Sequence, residues 1–516
     1  MSFVQALLSN PGIPVHERQK AIDRVFSDPG LPTTNPTSSF WLRSPHPDLA
    51  EAQSATFPSE AEVVIIGSGV TGTSIAGTLL KSRKADQNDD KRPAVVILEA
   101  RSICSGATGR NGGHILETGE EFADLEDTYG REAAQRIMRF RMAHLREILD
   151  TAEEYGLTED CQARKVQFLN VYFDKEGWQG ARERLRRLQE GLPEETQEWR
   201  AYEREQIPEE FRLPRAQGII AGPAGAIWPY RFITGVLGRL REQFPQDLLI
   251  ESNTSVTGIK ENSMDEGHDS LRYLIETPRG MIRARHVVHC TNAHVGHLVP
   301  GLRGRVYPIR GQMSAQHPGQ KFHGQGKEHS WIFNYDRGFD YLTQLPPSEA
   351  GQMMMFGGGF AQGEGGGMAD LGIATDSELS LYADIHLSGA LSAVFGRDNW
   401  GRVPRQSVDQ MWTGNMGFSA DGLPWVGQLP DLLTQRKLQR EGSGAEWVSA
   451  AFSGEGMVFA WLCGKALATM LLIHDDQLLE TASRDLSWFP EQMLVTGERI
   501  EKAVLPRYIQ DSRPHL

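Results

Sequence analysis

Gly67, Gly69 and Gly72 stand at the spacing GxGxxG, the first point in the chain where residue types and spacing could do chemistry. The first glycine of such a motif permits a tight turn, the second lets the backbone approach a pyrophosphate, and the third lets a helix pack closely on a strand. Val70 and Thr71 would open that helix, whose unpaired N–H groups and partial positive charge favour phosphate. Alone the motif is weak. Here it follows the apolar, β-branched run Val63-Val64-Ile65-Ile66, and a second run, Val95-Val96-Ile97-Leu98, ends at Glu99. A carboxylate at that point can accept hydrogen bonds from a ribose. The insert KADQNDDKRP, read as a surface loop, accounts for the long spacing between Gly72 and Glu99. The pattern predicts strand, glycine turn, helix and strand, and with them a bound dinucleotide, FAD or NAD.

The segment after Glu99 narrows the choice. From Ala100 through Arg101 to His114 it is rich in small residues, with Gly106, Ala107, Thr108, Gly109, Gly112 and Gly113 around Arg110 and Asn111. Such residues let backbone amides reach a pyrophosphate and a flat ring. The stretch resembles the flavin-contacting segment of the D-amino-acid oxidase family of FAD-dependent oxidoreductases, with its glycine oxidase-, sarcosine oxidase- and γ-glutamylputrescine oxidoreductase-like members. Further motifs carry the resemblance from about residue 60 to 475. Val256, in Thr254–Gly258, is similar to the strand whose backbone meets adenine, and the apolar run Arg285–Cys290 leads into Thr291. Pro308-Ile309-Arg310-Gly311-Gln312 matches a Pro-x-Arg-Gly-Gln turn. Ser419 to Gly427 resembles Pro-Asp-Gly-x-Pro-x-x-Gly around Asp421, with Ala420 in place of the first proline. Phe452 to Met457 is similar to a closing Gly-His-Gly-Met turn, with Gly454 and Gly456 kept and Glu455 in place of histidine.

The resemblance implies FAD as cofactor, held by these residues together with the first glycine turn. On the reacting side it implies hydride transfer from an amine carbon to flavin, with His114, Tyr341 and Met416 at the substrate. His114 is read as a contact of substrate or flavin, with covalent attachment to the flavin or a packed histidine as alternatives, and Tyr341 resembles the active-site tyrosine of amino-acid oxidases or else is a core aromatic. Trp228, Trp331 and Trp412 are either a substrate wall or core aromatics. Charged groups that relatives use are missing: Met416 stands for a carboxylate-binding arginine, Val458 for a lysine, Met355 for the lysine credited with oxygen activation, and Gly414 for a covalent cysteine. The expected substrate is therefore an amine without a free α-carboxylate, unless Arg231, Arg310 or Arg337 supplies the charge, since arginine is the side chain that fits a carboxylate bidentately. O2 is the expected acceptor, giving imine and H2O2. Other readings stay open: a dehydrogenase or tailoring enzyme using another acceptor, a monooxygenase, and a non-catalytic flavin-bound scaffold. The monooxygenase reading needs a late Gly-Asp motif, and here Asp421-Gly422 has the reverse order.

These residues need a large scaffold. A chain of 516 residues exceeds what one core usually supports, so packed domains are expected. The fold class read from the resemblance is α/β, a Rossmann-type FAD domain of discontinuous segments (61–116, 215–308 and 405–490) with an α+β substrate domain (117–214 and 309–404) carrying a mixed or antiparallel sheet. Residues 1–60 read as a polar arm without sustained periodicity and 491–516 as a tail. Helices are predicted at Glu132–Gly156, Trp178–Glu190 and Ala460–Ile473, strands near Gln167–Phe173 and Tyr273–Glu276, a hairpin at Phe339–Thr343 and Met353–Phe356, and a mobile glycine-rich loop over Gly357–Gly367. A net charge of −14 argues against nucleic acid as a partner. Cys104, Cys161, Cys290 and Cys463 are scattered, which predicts reduced thiols and no metal site. No secretory signal and no membrane-length apolar run is visible, so a cytoplasmic enzyme is expected. The terminal Pro514-His515-Leu516 loosely echoes a peroxisomal tripeptide and keeps that location as an alternative.

Overall fold

The computed structural model describes residues 3–82, 92–262, 271–322, 324–347, 351–438, 444–476 and 485–509. The insert KADQNDDKRP falls mostly, and the C-terminal tripeptide wholly, outside the described residues. The described residues form seventeen strands: β1 (Glu60–Ile66), β2 (Val95–Leu98), β3 (His114–Ile115), β4 (Arg164–Tyr172), β5 (Arg200–Glu203), β6 (Gly218–Ala226), β7 (Leu248–Glu251), β8 (Gly258–Glu261), β9 (Tyr273–Thr277), β10 (Gly280–His289), β11 (Val306–Gln316), β12 (His329–Asn334), β13 (Phe339–Gln344), β14 (Met354–Gly358), β15 (Val408–Ser419), β16 (Trp425–Gln428) and β17 (Glu446–Ala450).

One sheet has the order β16-β17-β10-β1-β2-β7, with β9 on β10 and β8 on β9. Its centre is parallel: β1 pairs with β10 and β2, β2 with β7, and β10 with β17. Val63 to Ile66 and Val95 to Leu98 are buried throughout, as strands covered on both faces must be. The helix Val70–Ser82 leads from β1 toward β2, and the helix Ala460–His474 packs against it so closely that a Cβ on Gly464 would lie 2.8 Å from Ser74 Cβ. A helix covered by both a sheet and another helix has no polar face to spare, and Val70–Ser82 is largely buried.

The second sheet has the order β15-β11-β14-β13-β12-β4-β6-β3, with β5 on β6. Its pairings are antiparallel except for β12 on β4. Sheet membership divides the chain at other points than the expected segments: β3, β6 and β15 lie within 61–116, 215–308 and 405–490 but pair in this second sheet. The motifs that mark cofactor segments sit at strand ends, so they do not locate where a strand crosses between sheets.

Three local expectations change. Residues 1–60 contain an amphipathic helix, Val15–Phe26, that buries Arg18, Ala21, Ile22 and Val25 at helical spacing. Its periodicity is masked because the first position of the buried face is an arginine, which donates to the Leu8 carbonyl at 3.0 Å. The glycine-rich stretch is held at both ends: Gly357 and Gly358 belong to β14, Gly359 N–H donates to Asp340 at 2.8 Å, and just beyond the positive-φ run Gly365–Gly367 Arg24 donates to the carbonyls of Met368 and Leu371. Val256 is buried but lies in the connection between β7 and β8, not in a strand. Trp228, Trp331 and Trp412 are buried core aromatics.

Candidate functional site

The glycine turn leaves the carboxyl end of β1, where ligands bind in open parallel sheets. Its backbone is tied to both neighbouring strands, Gly67 N–H to the Leu98 carbonyl at 2.9 Å and Cys290 N–H to the Ile66 carbonyl at 2.9 Å. Each glycine has a visible reason. Gly67 has φ +112° and its Cβ would lie 2.8 Å from the Cys290 carbonyl oxygen. A Cβ on Gly72 would lie 2.0 Å from the Gly67 oxygen, and one on Gly69 2.8 Å from Thr108 Oγ1. Thr108 Oγ1 also accepts from Val70 N–H at 3.1 Å, so the turn and the 106–113 segment are joined. Thr71 is buried in the first turn of the helix.

Glu99 links the same parts. Its Oε2 accepts from Ser68 N–H at 3.1 Å and Ser68 Oγ at 2.7 Å, and its Oε1 accepts from Arg101 N–H at 3.2 Å beside the half-buried Ala100. Two buried hydroxyls flanking the turn, Ser105 Oγ and Thr291 Oγ1, have no hydrogen-bond partner among the described residues. A Cβ on Gly106 would meet nothing within 4 Å. Unpaired buried donors and open space beside a glycine turn fit a dinucleotide with phosphate and ribose oxygens to place there.

The side chains of Arg101 and Arg110 both meet Asp376. Arg101 donates twice to Asp376, at 3.0 and 3.1 Å, while Arg110 pairs with Asp376 at 3.3 Å and donates to the Ser105, Thr413 and Thr37 carbonyls. Burial pushes Arg110 down to about 10, with Asp376 opposing. A buried guanidinium needs these partners, and Asp376 lies far off in sequence. Ala107 lies in the 3-10 turn Ala107–Arg110, and Asn111 Oδ1 accepts from Gly113 N–H at 2.8 Å.

On the reacting side, His114 begins β3 opposite Ala226, and its Nε2 lies 2.7 Å from Ser330 Oγ. Burial, with Arg164 adding to it, pushes His114 down to about 3, so it is neutral at physiological pH. Tyr341 packs its ring on the backbone of Gly112 and Gly357, where a Cβ would lie 2.9 and 2.6 Å from Cε2. Burial raises its pKa, and the phenol stays protonated. Met416, paired with Ile309 in β15, lies against Gly311 and Gly454. Asp421 does not join them. It pairs with Arg499 at 2.8 Å and accepts from Ser419 Oγ, fixing the turn on the C-terminal helix Gly497–Lys502.

The arginines left as alternatives are spoken for or distant. Arg310 is held by Asp370 at 2.7 Å, Arg231 stacks 4.0 Å over the Trp228 ring, and Arg337 is exposed in the turn between β12 and β13.

One cluster escaped the sequence reading. Arg141, 1% exposed in the helix Arg131–Glu154, pairs with Glu117, Glu121 and Glu455. Glu455 belongs to the turn carrying Gly454, Gly456 and Met457, where Ala451 and Ser453 take the left-handed conformation (φ +68° and +51°) that such residues rarely adopt. Burial raises Glu455 to about 8; Arg141 opposes the rise, while Glu121 and Glu117 add to it. The available signal was a charged residue on the apolar stripe Ile137, Arg141, His144, Ile148 of an amphipathic helix.

Comparison with known proteins agrees with this geometry. The profile of the family described as FAD dependent oxidoreductase (DAO) matches residues 62–470. Gamma-glutamylputrescine oxidoreductase of Escherichia coli (strain K12) is 22% identical over 452 residues, covering 85% of this chain and 89% of that protein. L-proline dehydrogenase from P. horikoshii superposes with a TM-score of 0.58 at 20% identity, over 85% of this chain and 100% of the other. Glycine oxidase from Geobacillus kaustophilus does so with a TM-score of 0.57 at 17% identity, over 85% and 99%. These likenesses are of fold. No helix among the described residues is long and apolar enough to cross a membrane.

Proposed function

The chain belongs to the FAD dependent oxidoreductase family, and from that premise we propose that it oxidises the C–N bond of an amine carrying no free carboxylate at the reacting carbon. FAD, when bound, supplies the hydride acceptor, and the protein supplies orientation and environment. In this reading the glycine turn Gly67–Gly72, Glu99, Thr291 and the backbone of 106–113 hold the nucleotide. His114, Tyr341 and Met416 border the substrate. The relatives support a nitrogen-bearing substrate, since their names include gamma-glutamylputrescine oxidoreductase, L-proline dehydrogenase and glycine oxidase.

The observation that carries the choice of amine is the state of the polar groups. His114 and Tyr341 are both neutral, and Arg110, Arg141 and Arg310 are each committed to carboxylates. A free carboxylate would have to draw a guanidinium away from the partners it has, Asp376, Glu117 or Asp370 for these three and the Gln162, Gly326 and Gln344 carbonyls for Arg164 near His114, which costs far more than an uncharged group. A neutral lining also favours the unprotonated amine that must release hydride. Anaerobic titration of the purified flavoprotein with amines and amino acids tests this. Bleaching by an amine class is expected; bleaching by free α-amino acids and by no amine would refute it.

O2 is the proposed acceptor, with imine and H2O2 as products. A second reading, transfer to another acceptor, is favoured by Met355, a fully buried apolar side chain in β14 where the resemblance expects a lysine. Stoichiometric H2O2 release in air would decide for O2.

A further inference from the structure

The carbonyl groups of five consecutive residues, Gly109 to Gly113, are each taken by a donor from elsewhere in the chain. Ser39 Oγ donates to Gly109 at 2.7 Å, Trp412 Nε1 to Arg110 at 2.8 Å, Trp41 Nε1 to Asn111 at 2.6 Å, Thr343 Oγ1 to Gly112 at 2.7 Å, and Ile227 N–H to Gly113 at 2.9 Å. In a planar trans peptide the next N–H points opposite to the carbonyl. Fixing every carbonyl therefore turns the following amides to the other side. The N–H groups of Asn111 and Gly112 find no acceptor among the described residues. Gly112 is buried, and a buried amide without a partner is rare in a folded protein. These amides await an acceptor.

Two of the five donors come from the N-terminal arm, which lies before the family's matched residues 62–470. The arm is seated for this task. Trp41 is fully buried, packs edge-on against Trp228 at 5.2 Å, and its carbonyl accepts from Trp228 Nε1 at 3.0 Å. Thr37 takes the Arg110 guanidinium on its carbonyl at 2.7 Å, donates from N–H to the Asp376 carbonyl at 2.7 Å, and accepts from Thr413 N–H at 2.9 Å. Thr33 accepts from Arg101 at 3.3 Å.

We infer that residues 33–43 of the arm are a working part of the cofactor site: Trp41, on the Asn111 carbonyl, sets the direction of the Gly112 amide, and Ser39, on the Gly109 carbonyl, holds the start of the same stretch, so that with Trp412 on the Arg110 carbonyl the Asn111 and Gly112 amides are presented to an electron-rich edge of the bound flavin. Ser39 and Trp41 are positioning residues, since they act through the 109–111 backbone. The inference rests on the proposed seating of FAD along residues 106–113.

The test uses the full chain with Ser39→Ala/Trp41→Phe, which removes both donors and keeps the indole's ring replaced by another ring. FAD affinity of the apoprotein, the absorption band shape of bound flavin and its midpoint potential are read together with the apoprotein's melting temperature. Loss of two hydrogen bonds predicts roughly tenfold or more weaker FAD binding. A shift in band shape and potential accompanies it, because the amides facing the ring change direction. Fold stabilisation alone would move the melting temperature and leave spectrum and potential of the bound flavin unchanged, and that result would overturn the inference. If the double variant does not fold, Trp41→Phe alone decides, since Trp41 holds the carbonyl that precedes the Gly112 amide: FAD affinity within twofold of the parent, with an unshifted flavin spectrum, overturns it. Gly106→Ala separates this failure from failure of the underlying reading. Weak FAD binding by Gly106→Ala with parental binding by the arm variants would refute the arm's role only.

Discussion

Gly106 is the most direct probe of where the nucleotide lies. Its backbone is extended, at φ −76° and ψ −151°, which any residue adopts, and an added Cβ meets no protein atom within 4 Å. Replacing it with alanine should leave the apoprotein unharmed, or stabilise it by about 0.4–1 kcal/mol through a less flexible unfolded chain. If the open space beside Gly106 receives FAD, the methyl group overpacks the holoprotein at a cost of about 1–3 kcal/mol. That corresponds to FAD binding weakened by about 5- to 150-fold. The assay is titration of apoprotein with FAD by quenching of flavin fluorescence, paired with urea unfolding of the apo form. Gly72→Ala supplies the contrast. Its Cβ would lie 2.0 Å from the Gly67 oxygen, so turn and helix must part by at least 1.0 Å (3.0 − 2.0) and both apo stability and FAD binding should fall. Parental FAD affinity in Gly106→Ala would refute the placement of the cofactor along 106–113.

Thr291→Val replaces a buried hydroxyl that has no partner among the described residues. Apo stability should change by less than about 1 kcal/mol while FAD binding weakens by about 0.5–1.5 kcal/mol; equal loss in both would refute a cofactor contact. Glu455 has a folded pKa near 8, above the ordinary carboxylate value. Its contribution to stability is therefore fully present below the unfolded value and lost as pH rises through about 8, so Glu455→Gln should gain stability relative to the parent over that window. Unfolding curves of both proteins between pH 5 and 9 check the sign, and a constant difference would refute it. Cys104, Cys161 and Cys463 are buried and free, and burial raises each thiol, Cys161 to about 12. Cys290 is raised by burial as well. Thiol reagent at pH 8 should label the native protein slowly and the urea-unfolded protein promptly; prompt labelling of native protein would contradict this burial.

Much of the nucleotide half was legible in the residues themselves. A β-branched run, three glycines at fixed spacing and a carboxylate at the next strand's end are local signals, because turn sterics and helix–strand packing act between near neighbours. Glycine at 72 is demanded by an oxygen five residues away, so spacing alone reveals it. The fold class followed from the same motifs in order. What stayed hidden were long-range partners. Arg101 and Arg110 were assigned to the cofactor, but Asp376, which takes their guanidinium groups, comes from a loop of the other sheet's region. Asp421 looked like part of a binding turn until Arg499, 78 residues later, proved to hold it. Arg141 joins Glu117 and Glu121 of one segment with Glu455 of another, and Ser39 and Trp41 reach the 109–111 carbonyls from a stretch that read as a polar arm. Sequence determines conformations that each segment can adopt on its own account. Which buried charge meets which carboxylate, and which carbonyl meets which donor, is decided only when the packed core removes water and leaves each polar group to find a partner within the protein.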